Sequence, residues 1–312
     1  MKRVILTGGT GFVGANLARR LIGAGHEVHL FLRPEHSPWR IAEIRKEVRA
    51  HELDLRDAES TTQAVRLIRP DWIFHLATYG SYPAQTDVHR MVRTNVFGTM
   101  SLVNACLQTG FEAFINTGSS SEYGWKDHAP REDETLEPNS DYAVTKASAT
   151  RFCQDVAGSQ GVNLQTLRLY SVYGPFEEPS RFIPTLVACG LQKRLPTLAN
   201  PDTARDFVFV DDVVDAYLMA ASTPPRESGA IYNVGTGVQT SLREAVEVAR
   251  RVLDLTVEPV WQTLPARAWD TNIWIADSSR IADGLGWQPR FNFEQGFRAT
   301  VEWVRQAYVR QA

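Results

Sequence analysis

The chain contains 312 residues with a formal net charge of −3 at pH 7, and 43% of its residues are hydrophobic and 22% charged. This balance is typical of a globular protein and argues against a nucleic-acid-binding protein, which usually carries a strong basic excess. Three scattered cysteines do not have the spacing of a disulfide framework or a zinc site, so we predict no metal site. The N-terminal apolar run is shorter than that of a signal peptide, and no segment reaches the roughly 18 apolar residues of a membrane span. We therefore expect a cytoplasmic protein that binds neither membrane nor nucleic acid.

Short apolar strands alternate with helical segments through the first half of the chain. The pattern predicts strands at 4–6, 27–32, 48–53, 72–76, 112–116 and 163–169, and helices at 12–21, near Ile41, and at 60–68, 88–109 and 141–157. Such alternation is typical of an α/β fold, in which a doubly wound parallel sheet carries helices on both faces.

The alternation weakens after Tyr170, where several prolines indicate loops up to about residue 201. Further strands are predicted at 207–210 and 231–234, and helices at about 212–221, 241–253 and 293–310. We predict two interleaved units. The first comprises residues 1–170 with returning segments at about 206–235, and the second, smaller lobe comprises 171–205 and 236–312.

A glycine-rich turn connects the first predicted strand to the first helix. Gly8 allows the tight turn, Gly11 allows the backbone to approach a pyrophosphate, and Gly14 allows the helix to pack closely on the sheet. The first helical residues, Phe12 and Val13, offer free N–H groups and the positive end of the helix dipole to phosphates. This strand–turn–helix context predicts a dinucleotide cofactor in a Rossmann-type fold.

The end of the second predicted strand indicates which dinucleotide is bound. Sites that prefer NAD place a carboxylate there to accept from the ribose 2′-hydroxyl, whereas this strand ends in Arg33. A guanidinium can bind a 2′-phosphate through charge-assisted hydrogen bonds, and Ser37 and Arg40 follow in the next loop. We predict NADP(H), with NAD(H) as the alternative.

A tyrosine and a lysine four residues apart, Tyr142 and Lys146, lie on one face of the predicted helix 141–157. A neighbouring ammonium favours the phenolate and lowers the pKa of a tyrosine, so this pair can transfer a proton at a carbonyl or an alcohol. Ser119 follows the fifth predicted strand, at the carboxyl edge where open parallel sheets bind their ligands. We predict Ser119, Tyr142 and Lys146 as catalytic residues.

Together these motifs resemble the extended short-chain dehydrogenase/reductase superfamily, in its NAD(P)-dependent epimerase/dehydratase branch, which acts on nucleotide sugars. The resemblance covers essentially the whole chain. It rests on Gly8, Gly11 and Gly14, on Asp54 and Leu55, on 75–77 and 94–99, on Ser119, Tyr142 and Lys146, and on 173–175, 205–212, 233–235 and 285–287.

The resemblance implies a role for individual positions. Asp54 and Leu55 would flank the adenine, and Lys146 would hold the nicotinamide ribose. Further cofactor contacts would come from Leu76, Ala77, Thr78, Asn95 and Thr117. The substrate, a nucleotide-diphosphate sugar, would bind to the second lobe, with Arg205 and Arg267 on its diphosphate and with Tyr79, Ser120, Ser121, Ser171 and Arg181 as further contacts. Family members commonly dimerise through the helices that correspond to 88–109 and 141–157, so a homodimer is expected.

Departures from the family pattern favour one reaction. The 4,6-dehydratases carry acidic residues just after the catalytic threonine, where this chain has Ser120 and Ser121, and Glu122 is one position too late and is expected to face away. The 4-epimerases usually carry an acid at the tip of the second strand, and an asparagine at the position of Ser171. The sequence therefore predicts NADPH-dependent reduction of a nucleotide-linked 4-keto-6-deoxyhexose at C4, with Tyr142 as the proton donor.

Three alternatives stay open at this stage. The nearest likeness is to CDP-abequose synthase-like 4-ketosugar reductases, but a UDP-glucose 4-epimerase-like activity with bound NAD(P) and a 4,6-dehydratase activity are both compatible with the family. A non-catalytic NADP-binding protein is disfavoured, because such a protein need not keep the serine, tyrosine and lysine together. Of the remaining polar residues, His75 is expected in the core and the acidic stretch 131–134 in a solvated loop.

Overall fold

A seven-stranded parallel sheet forms the centre of the computed structural model, which describes residues 1–261 and 272–311. The strand order is β10-β6-β5-β4-β1-β2-β3. The strands of this sheet are β1 Arg3–Thr7, β2 Glu27–Leu32, β3 Arg49–Glu52, β4 Trp72–His75, β5 Ala113–Ser119, β6 Leu164–Leu169 and β10 Ile231–Val234. The chain runs outward from β1 in one direction and then returns to continue from β4 in the other. This reversal opens a crevice at the carboxyl ends of β1 and β4, which is where open α/β sheets bind ligands.

Helices cover both faces of the sheet, and three of them also contribute to a separate apolar cluster. They are α1 Phe12–Gly23, α2 Ala58–Ile68, α3 Val88–Met91, α4 Gly98–Thr109, α5 Asp141–Gln160, α6 Phe182–Leu191, α7 Val210–Ser222, α8 Leu242–Leu253, α9 Ser279–Leu285 and α10 Phe293–Gln311. Two small sheets complete the described elements: β7 Ser171–Tyr173 pairs in parallel with β9 Phe207–Phe209, and β8 Ala204–Arg205 pairs antiparallel with β11 Thr240–Ser241. The α/β fold class predicted from the sequence is confirmed.

Three element predictions need correction. The segment near Ile41 forms a single 3-10 turn rather than a helix, and the predicted helix 88–109 contains a π-helical stretch, Val92–Phe97, between α3 and α4. The proline-rich region after Tyr170 contains α6, which was predicted as loop. Pro184 is compatible with this helix because it lies in the first turn, where the missing N–H has no partner within the helix.

The alternation of side chains along the central strands divides the core into two layers. On β1, Val4 and Leu6 pack with α1 and α7, whereas Ile5 faces α2, α4 and α5. A third cluster, centred on Tyr173 and Phe207, joins α6, α8 and α10 in the second lobe. The three cysteines are free and buried, as expected of small apolar side chains.

His75, at the end of β4, is a core histidine as the sequence predicted. It is 2% exposed, its Nδ1 lies 2.8 Å from the Thr7 hydroxyl, and its Nε2 lies 2.8 Å from the Thr99 hydroxyl. Burial lowers the pKa of the imidazole to about 3, with a smaller contribution from the charge of Lys146. Burial therefore favours the neutral form of the ring.

We expect the His75→Asn variant to lose less stability on acidification than the wild type. Below pH 6.5 the unfolded wild-type chain takes up a proton that the folded chain excludes, which costs about 1.4 kcal/mol per pH unit and about 2 kcal/mol between pH 7 and pH 5. Urea unfolding at both pH values measures this difference, and the exposed His89→Asn variant is the control with wild-type behaviour. Equal losses in the wild type and in His75→Asn would contradict the assignment.

Candidate functional site

The glycine turn after β1 forms a cradle at the amino end of α1. Gly8 has a φ of +71°, and its carbonyl accepts a hydrogen bond from Gly11 N at 2.9 Å. A Cβ at Gly14 would lie 2.3 Å from the Gly8 carbonyl oxygen, so only glycine allows the helix to approach this closely. The residue that caps α1 is Gly11, and no side chain accepts from the first N–H groups of the helix. The free N–H groups in this first turn of α1, which includes Phe12 and Val13, suit the pyrophosphate of a dinucleotide.

The end of β2 presents a cation beside this cradle. Arg33 is exposed and forms no ion pair with any residue in the parts of the chain described. Next to it, Asp54 follows β3 and accepts two hydrogen bonds from Arg56 Nε at 2.9 Å, which together with the more distant charge of Arg33 lowers the pKa of Asp54. Arg56 was not predicted from the sequence. Ser37 is exposed in the loop that follows β2.

The fold engages the guanidinium of Arg40, which the sequence predicts as a cofactor contact. Arg40 is only 6% exposed, donates from Nε to the Phe176 carbonyl at 2.7 Å, and pairs with Glu178 at 2.9 Å. A further donation at 3.5 Å reaches the Thr10 carbonyl in the glycine turn. Arg40 therefore connects the glycine turn to the loop 175–178, and its contact with the cofactor stays a prediction.

The loop after β4 forms the opposite wall of the crevice. Ala77 N donates to the Thr7 hydroxyl at 3.1 Å, and Leu76, Ala77 and Thr78 are half-buried. Asn95 lies in the π-helical stretch and is 1% exposed. Its side-chain amide ties this loop to α5, and the contact between Asn95 and the cofactor stays a prediction.

The contacts of Asn95 are specific. Its Oδ1 accepts from Tyr79 N at 2.8 Å and from Thr78 Oγ1 at 3.1 Å, and its Nδ2 donates to the Tyr79 carbonyl at 2.8 Å and to Thr145 Oγ1 at 3.0 Å. All of the polar capacity of the side chain is thus used within the protein. Thr145 lies between Tyr142 and Lys146 on α5, so this asparagine fixes the distance between the loop and the catalytic helix.

Ser119, Tyr142 and Lys146 come together at the carboxyl edge of the sheet. Ser119 ends β5 and begins the 3-10 turn Ser120–Tyr123, while the other two residues lie on one face of α5, whose amino end is capped by Ser140. The hydroxyls of Ser119 and Thr78 are close enough to the Tyr142 phenol to lower its pKa by hydrogen bonding.

Burial controls the protonation of this group of residues. It raises the pKa of the Tyr142 phenol, more than the Ser119 and Thr78 hydroxyls lower it. It lowers the pKa of Lys146, whose ammonium donates to the Thr117 carbonyl. Withdrawal from water therefore makes the Tyr142 phenol less acidic than its ordinary pKa indicates, and the acidifying effect of Lys146 stays a prediction.

Thr117 contributes its backbone rather than a contact of its side chain. Its carbonyl accepts from Lys146, and its hydroxyl lies 2.5 Å from the Tyr217 hydroxyl of α7. The carbonyl thereby holds the Lys146 ammonium, and the contact between Thr117 and the cofactor stays a prediction.

Glu122 faces away from the crevice, which agrees with the sequence prediction. Its carboxylate turns back into the core, where Oε1 accepts from Ser119 N at 2.8 Å and Oε2 accepts from Arg168 Nε at 2.8 Å. Ser120 and Ser121 occupy the two positions at which an acid would lie closer to the substrate. The carboxylate of this turn is thus engaged inside the protein and does not face the crevice.

The acidic stretch 131–134 is only partly solvated, which corrects the expectation for one residue. Glu132 is 7% exposed, and its Oε1 accepts from Asn233 N at 2.8 Å. Asn233 also accepts from the Tyr123 hydroxyl at 2.8 Å. Glu132 therefore ties this loop to β10 at the edge of the sheet, a contact that no local pattern could indicate.

The residues predicted to bind substrate lie on several different elements. Arg181 is exposed at the amino end of α6, and its charge opposes the rise in the pKa of Tyr142 that burial causes. Ser171 is half-buried in β7, Tyr79 lies in the loop after β4, and Arg205 in β8 lies 5.6 Å from the Trp274 ring. Arg267 lies outside the described residues.

One further acid near Arg181 was missed from the sequence. Glu177 lies in the loop 175–178, and its buried Oε2 has no hydrogen-bond partner among the described residues. Burial raises the pKa of Glu177 to about 8, against the opposing charges of Arg181 and Arg40. Burial in the folded chain distinguishes Glu177 from an ordinary surface glutamate, so the sequence contains no signal for it.

The fold and the site define a dinucleotide-dependent enzyme with a serine–tyrosine–lysine arrangement. Comparison with known proteins identifies the family: residues 4–235 match the NAD dependent epimerase/dehydratase family, and the chain belongs to it. It is an enzyme of this NAD(P)-dependent family, whose members act on nucleotide sugars.

Individual relatives match almost the full chain. A UDP-glucose 4-epimerase of Mycolicibacterium smegmatis is 31% identical over 316 residues, covering 97% of this chain and 98% of the relative. A GDP-6-deoxy-D-mannose reductase of Pseudomonas aeruginosa is 28% identical over 309 residues, covering 96% and 95%. The structure of a Thermus thermophilus UDP-glucose 4-epimerase in complex with NAD is similar with a TM-score of 0.85 at 28% identity, covering 98% of this chain and 99% of that one.

No helix among the described residues is long and apolar enough to cross a membrane. Likewise, residues 1–261 and 272–311 contain no group of three or more histidine, cysteine, aspartate or glutamate side chains that could hold a metal ion.

We expect Gly14→Ala to weaken dinucleotide binding about tenfold or more, because the added methyl group would force α1 away from Gly8. Overpacking of this kind costs typically 1–3 kcal/mol, and 1.4 kcal/mol is a factor of ten in affinity. Fluorescence titration with NADPH and NADH measures the effect. Gly23→Ala, in the same helix, is the matched control, since a Cβ there meets nothing within 4 Å. Equal affinities in the two variants would contradict the proposed cradle.

Proposed function

We propose that the protein is an NADPH-dependent reductase that acts at C4 of a nucleotide-linked 4-keto-6-deoxyhexose. The observation that carries this proposal is the combination of a complete Ser119–Tyr142–Lys146 arrangement with an exposed Arg33 at the end of β2. The residues present fit a dinucleotide. Gly14 allows α1 to pack close to Gly8, which leaves room for the phosphates, and the start of α1 has no side-chain cap, so its N–H groups are free to bind them. When bound, NADPH supplies the hydride that reduces the carbonyl.

The chain's own residues would manage the proton and the developing charge. Tyr142, which burial keeps in its neutral form, donates a proton to the C4 oxygen as negative charge develops there. Ser119 donates a hydrogen bond to the same oxygen. Lys146, held by the Thr117 carbonyl, binds the nicotinamide ribose and supplies positive charge next to Tyr142.

Dehydration is disfavoured by the position of Glu122. A dehydratase needs an acid to protonate the departing hydroxyl, and the positions that would supply it are Ser120 and Ser121. Both oxygens of Glu122 are engaged, with Ser119 N and Arg168, and its side chain is 0% exposed. No carboxyl of this turn can therefore reach a substrate hydroxyl.

A 4-epimerase is the second candidate, and the 31% identical UDP-glucose 4-epimerase favours it. An epimerase keeps its dinucleotide bound and regenerates it in every cycle, whereas a reductase must take up NADPH and release NADP⁺. An arginine at the end of β2 in place of a carboxylate supports selection of NADPH, and Ser171 replaces the asparagine that is usual in epimerases. These two differences support reduction.

The second lobe would bind the nucleotide diphosphate. Arg205 and Arg267 are proposed to bind the two phosphates, and Arg181 is a further cation whose charge acts on Tyr142. Tyr79, Ser120, Ser121 and Ser171 would complete the sugar subsite. The printed names of the relatives include UDP-glucose and GDP-6-deoxy-D-mannose, which supports a nucleotide sugar without indicating which one.

Two copies of the chain are proposed to associate through the helices 88–109 and 141–157. Phe97 is 54% exposed and Val144 is 48% exposed, and both lie on these helices, so water would be excluded from apolar surface on pairing. A cytoplasmic location is proposed because all three cysteines are free and buried, as suits a reducing compartment.

The function is tested with the purified protein, NADPH and a panel of nucleotide-linked 4-ketosugars. We expect loss of NADPH absorbance in proportion to the hydroxyl product formed, and no equivalent turnover of saturated nucleotide hexoses. Tyr142→Phe should lower kcat by about 100-fold or more, since the loss of a general acid costs about two to four powers of ten. Binding of the nucleotide sugar should be retained in this variant.

A different outcome would exclude the reductase. Inversion at C4 of a saturated nucleotide sugar without net consumption of NADPH would identify an epimerase. Near-normal turnover by Tyr142→Phe would exclude that tyrosine as the proton donor.

We expect Arg33→Ser to weaken NADPH binding about 10- to 100-fold and to leave NADH binding unchanged. A charge-assisted hydrogen bond contributes about 1.5–3 kcal/mol, and the 2′-phosphate is present only in NADPH. Affinity measurements for both dinucleotides test this expectation, with the exposed Arg45→Ser as the matched control. A wild-type preference for NADH over NADPH would overturn the cofactor proposal.

A further inference from the structure

A buried ion pair lies directly beneath the proposed catalytic residues. Glu122 and Arg168 are 0% and 2% exposed, and Oε2 of the carboxylate accepts from Nε of the guanidinium at 2.8 Å. Such a deeply buried pair contributes little to stability relative to apolar residues of the same volume, because both charges lose their hydration. Its position next to the site therefore favours a functional role.

The second oxygen of the Glu122 carboxylate binds the backbone at the end of β5. Oε1 accepts from Ser119 N at 2.8 Å, and the Ser119 hydroxyl accepts in turn from Ser121 N at 3.2 Å, which closes a capping box at the start of the 3-10 turn. We propose that Glu122 is a positioning residue: its carboxylate, anchored on Arg168, fixes Ser119 and holds negative charge beneath Tyr142 and Lys146. This inference rests on the proposed roles of Ser119 and Tyr142.

One face of α5 also contacts the Glu122 carboxylate. Tyr142, Lys146 and Thr150 follow one another at intervals of four residues on one face of α5, and Thr150 Oγ1 donates to Glu122 Oε1 at 3.0 Å. The row of side chains that begins with Tyr142, the proposed proton donor, therefore ends with a hydrogen bond from Thr150 to Glu122.

Gly118 allows this approach. A Cβ at that position would lie 2.8 Å from Glu122 Oε1 and 2.9 Å from Arg168 Cγ. A side chain larger than that of glycine would therefore displace either the carboxylate or the guanidinium. Three separate elements, β5, α5 and β6, consequently provide room or hydrogen bonds for one charge.

The charge acts on both titrating groups of the site. Burial lowers the pKa of Lys146, and the charge of Glu122 raises it. Burial raises the pKa of Tyr142, the hydrogen bond with Ser119 lowers it, and the charge of Glu122 raises it. The other groups that face the carboxylate are Arg168 on β6 and Cys153 on α5, with Tyr123 beyond Arg168. Removal of the Glu122 charge therefore moves the ionisation of both Tyr142 and Lys146 to lower pH.

The test compares Glu122→Gln with Glu132→Gln in the full chain. Glu132 is the matched control because it is a buried carboxyl whose own backbone carbonyl accepts from Arg168, yet it does not contact Ser119. Tyrosine labelled with ¹³C in its ring, with Tyr142 assigned by Tyr142→Phe, reports ionisation of the phenol by NMR without any substrate. We expect its onset at lower pH in Glu122→Gln and at the wild-type pH in Glu132→Gln.

Kinetics give the second measurement. In Glu122→Gln we expect kcat to fall about 10- to 100-fold with KM changed less than twofold, as for a misplaced catalytic group, and the pH profile of kcat to move to lower pH. Glu122→Asp keeps the charge but shortens the reach to Ser119, so kcat should fall while the Tyr142 ionisation stays at its wild-type pH. This second variant carries the test if Glu122→Gln does not fold, as judged by circular dichroism.

The outcomes separate this inference from the proposed function. A shifted Tyr142 ionisation in Glu122→Gln, without turnover of any nucleotide sugar, would support the inference and contradict the function. Turnover of a 4-ketosugar with wild-type kcat and wild-type ionisation in both Glu122 variants would overturn the inference and leave the function intact. Equal effects of Glu122→Gln and Glu132→Gln would also overturn it, because they would indicate a general loss of core order.

Discussion

The parallel strand order around β1 and β4 is the constraint on which the rest of the molecule depends. Because the chain leaves β1 in one direction and β4 in the other, the loops after these two strands diverge and leave a crevice at their carboxyl ends. The glycine turn and the segment 76–78 form its walls, and β5 brings Ser119 to the same edge. Parallel pairing requires all of these chain ends to point the same way, so residues more than 100 positions apart share one site.

Close backbone approach is the second requirement, and two glycines meet it in different ways. Gly14 allows a helix to come within contact of the Gly8 carbonyl, which directs the free N–H groups of α1 at the crevice. Gly118 allows a charged pair to pass beneath β5. In both places the absent Cβ makes room for polar groups, so each glycine affects the electrostatics of the site and not only the path of the chain.

The parts that could be predicted from the sequence are those specified by local patterns. The alternation of apolar strands and helices was enough for the sheet, and the spacings of the glycine turn and of Tyr142 with Lys146 were enough for the two main features of the crevice. The roles of Arg40, Asn95 and Glu132 could not be predicted, because their partners lie between 16 and 138 residues away. The local sequence around an arginine or asparagine does not distinguish a side chain that faces a ligand from one that connects two loops. The helix α6 was missed for a related reason: Pro184 breaks a helix in most positions but not in a first turn.

The electrostatics of the site favour one direction of proton transfer. Burial raises the pKa of Tyr142 and lowers that of Lys146, so withdrawal from water favours the neutral form of each. A neutral phenol is a proton donor, which suits the reduction of a carbonyl better than the abstraction of a proton from an alcohol. Neutral lysine, however, would lose its attraction for a developing alkoxide. The carboxylate of Glu122 opposes that loss, since its charge raises the pKa of Lys146, and it also raises that of Tyr142. A single buried anion thus supports both a protonated tyrosine and a charged lysine, the pair of states that a carbonyl reductase requires at the start of its reaction.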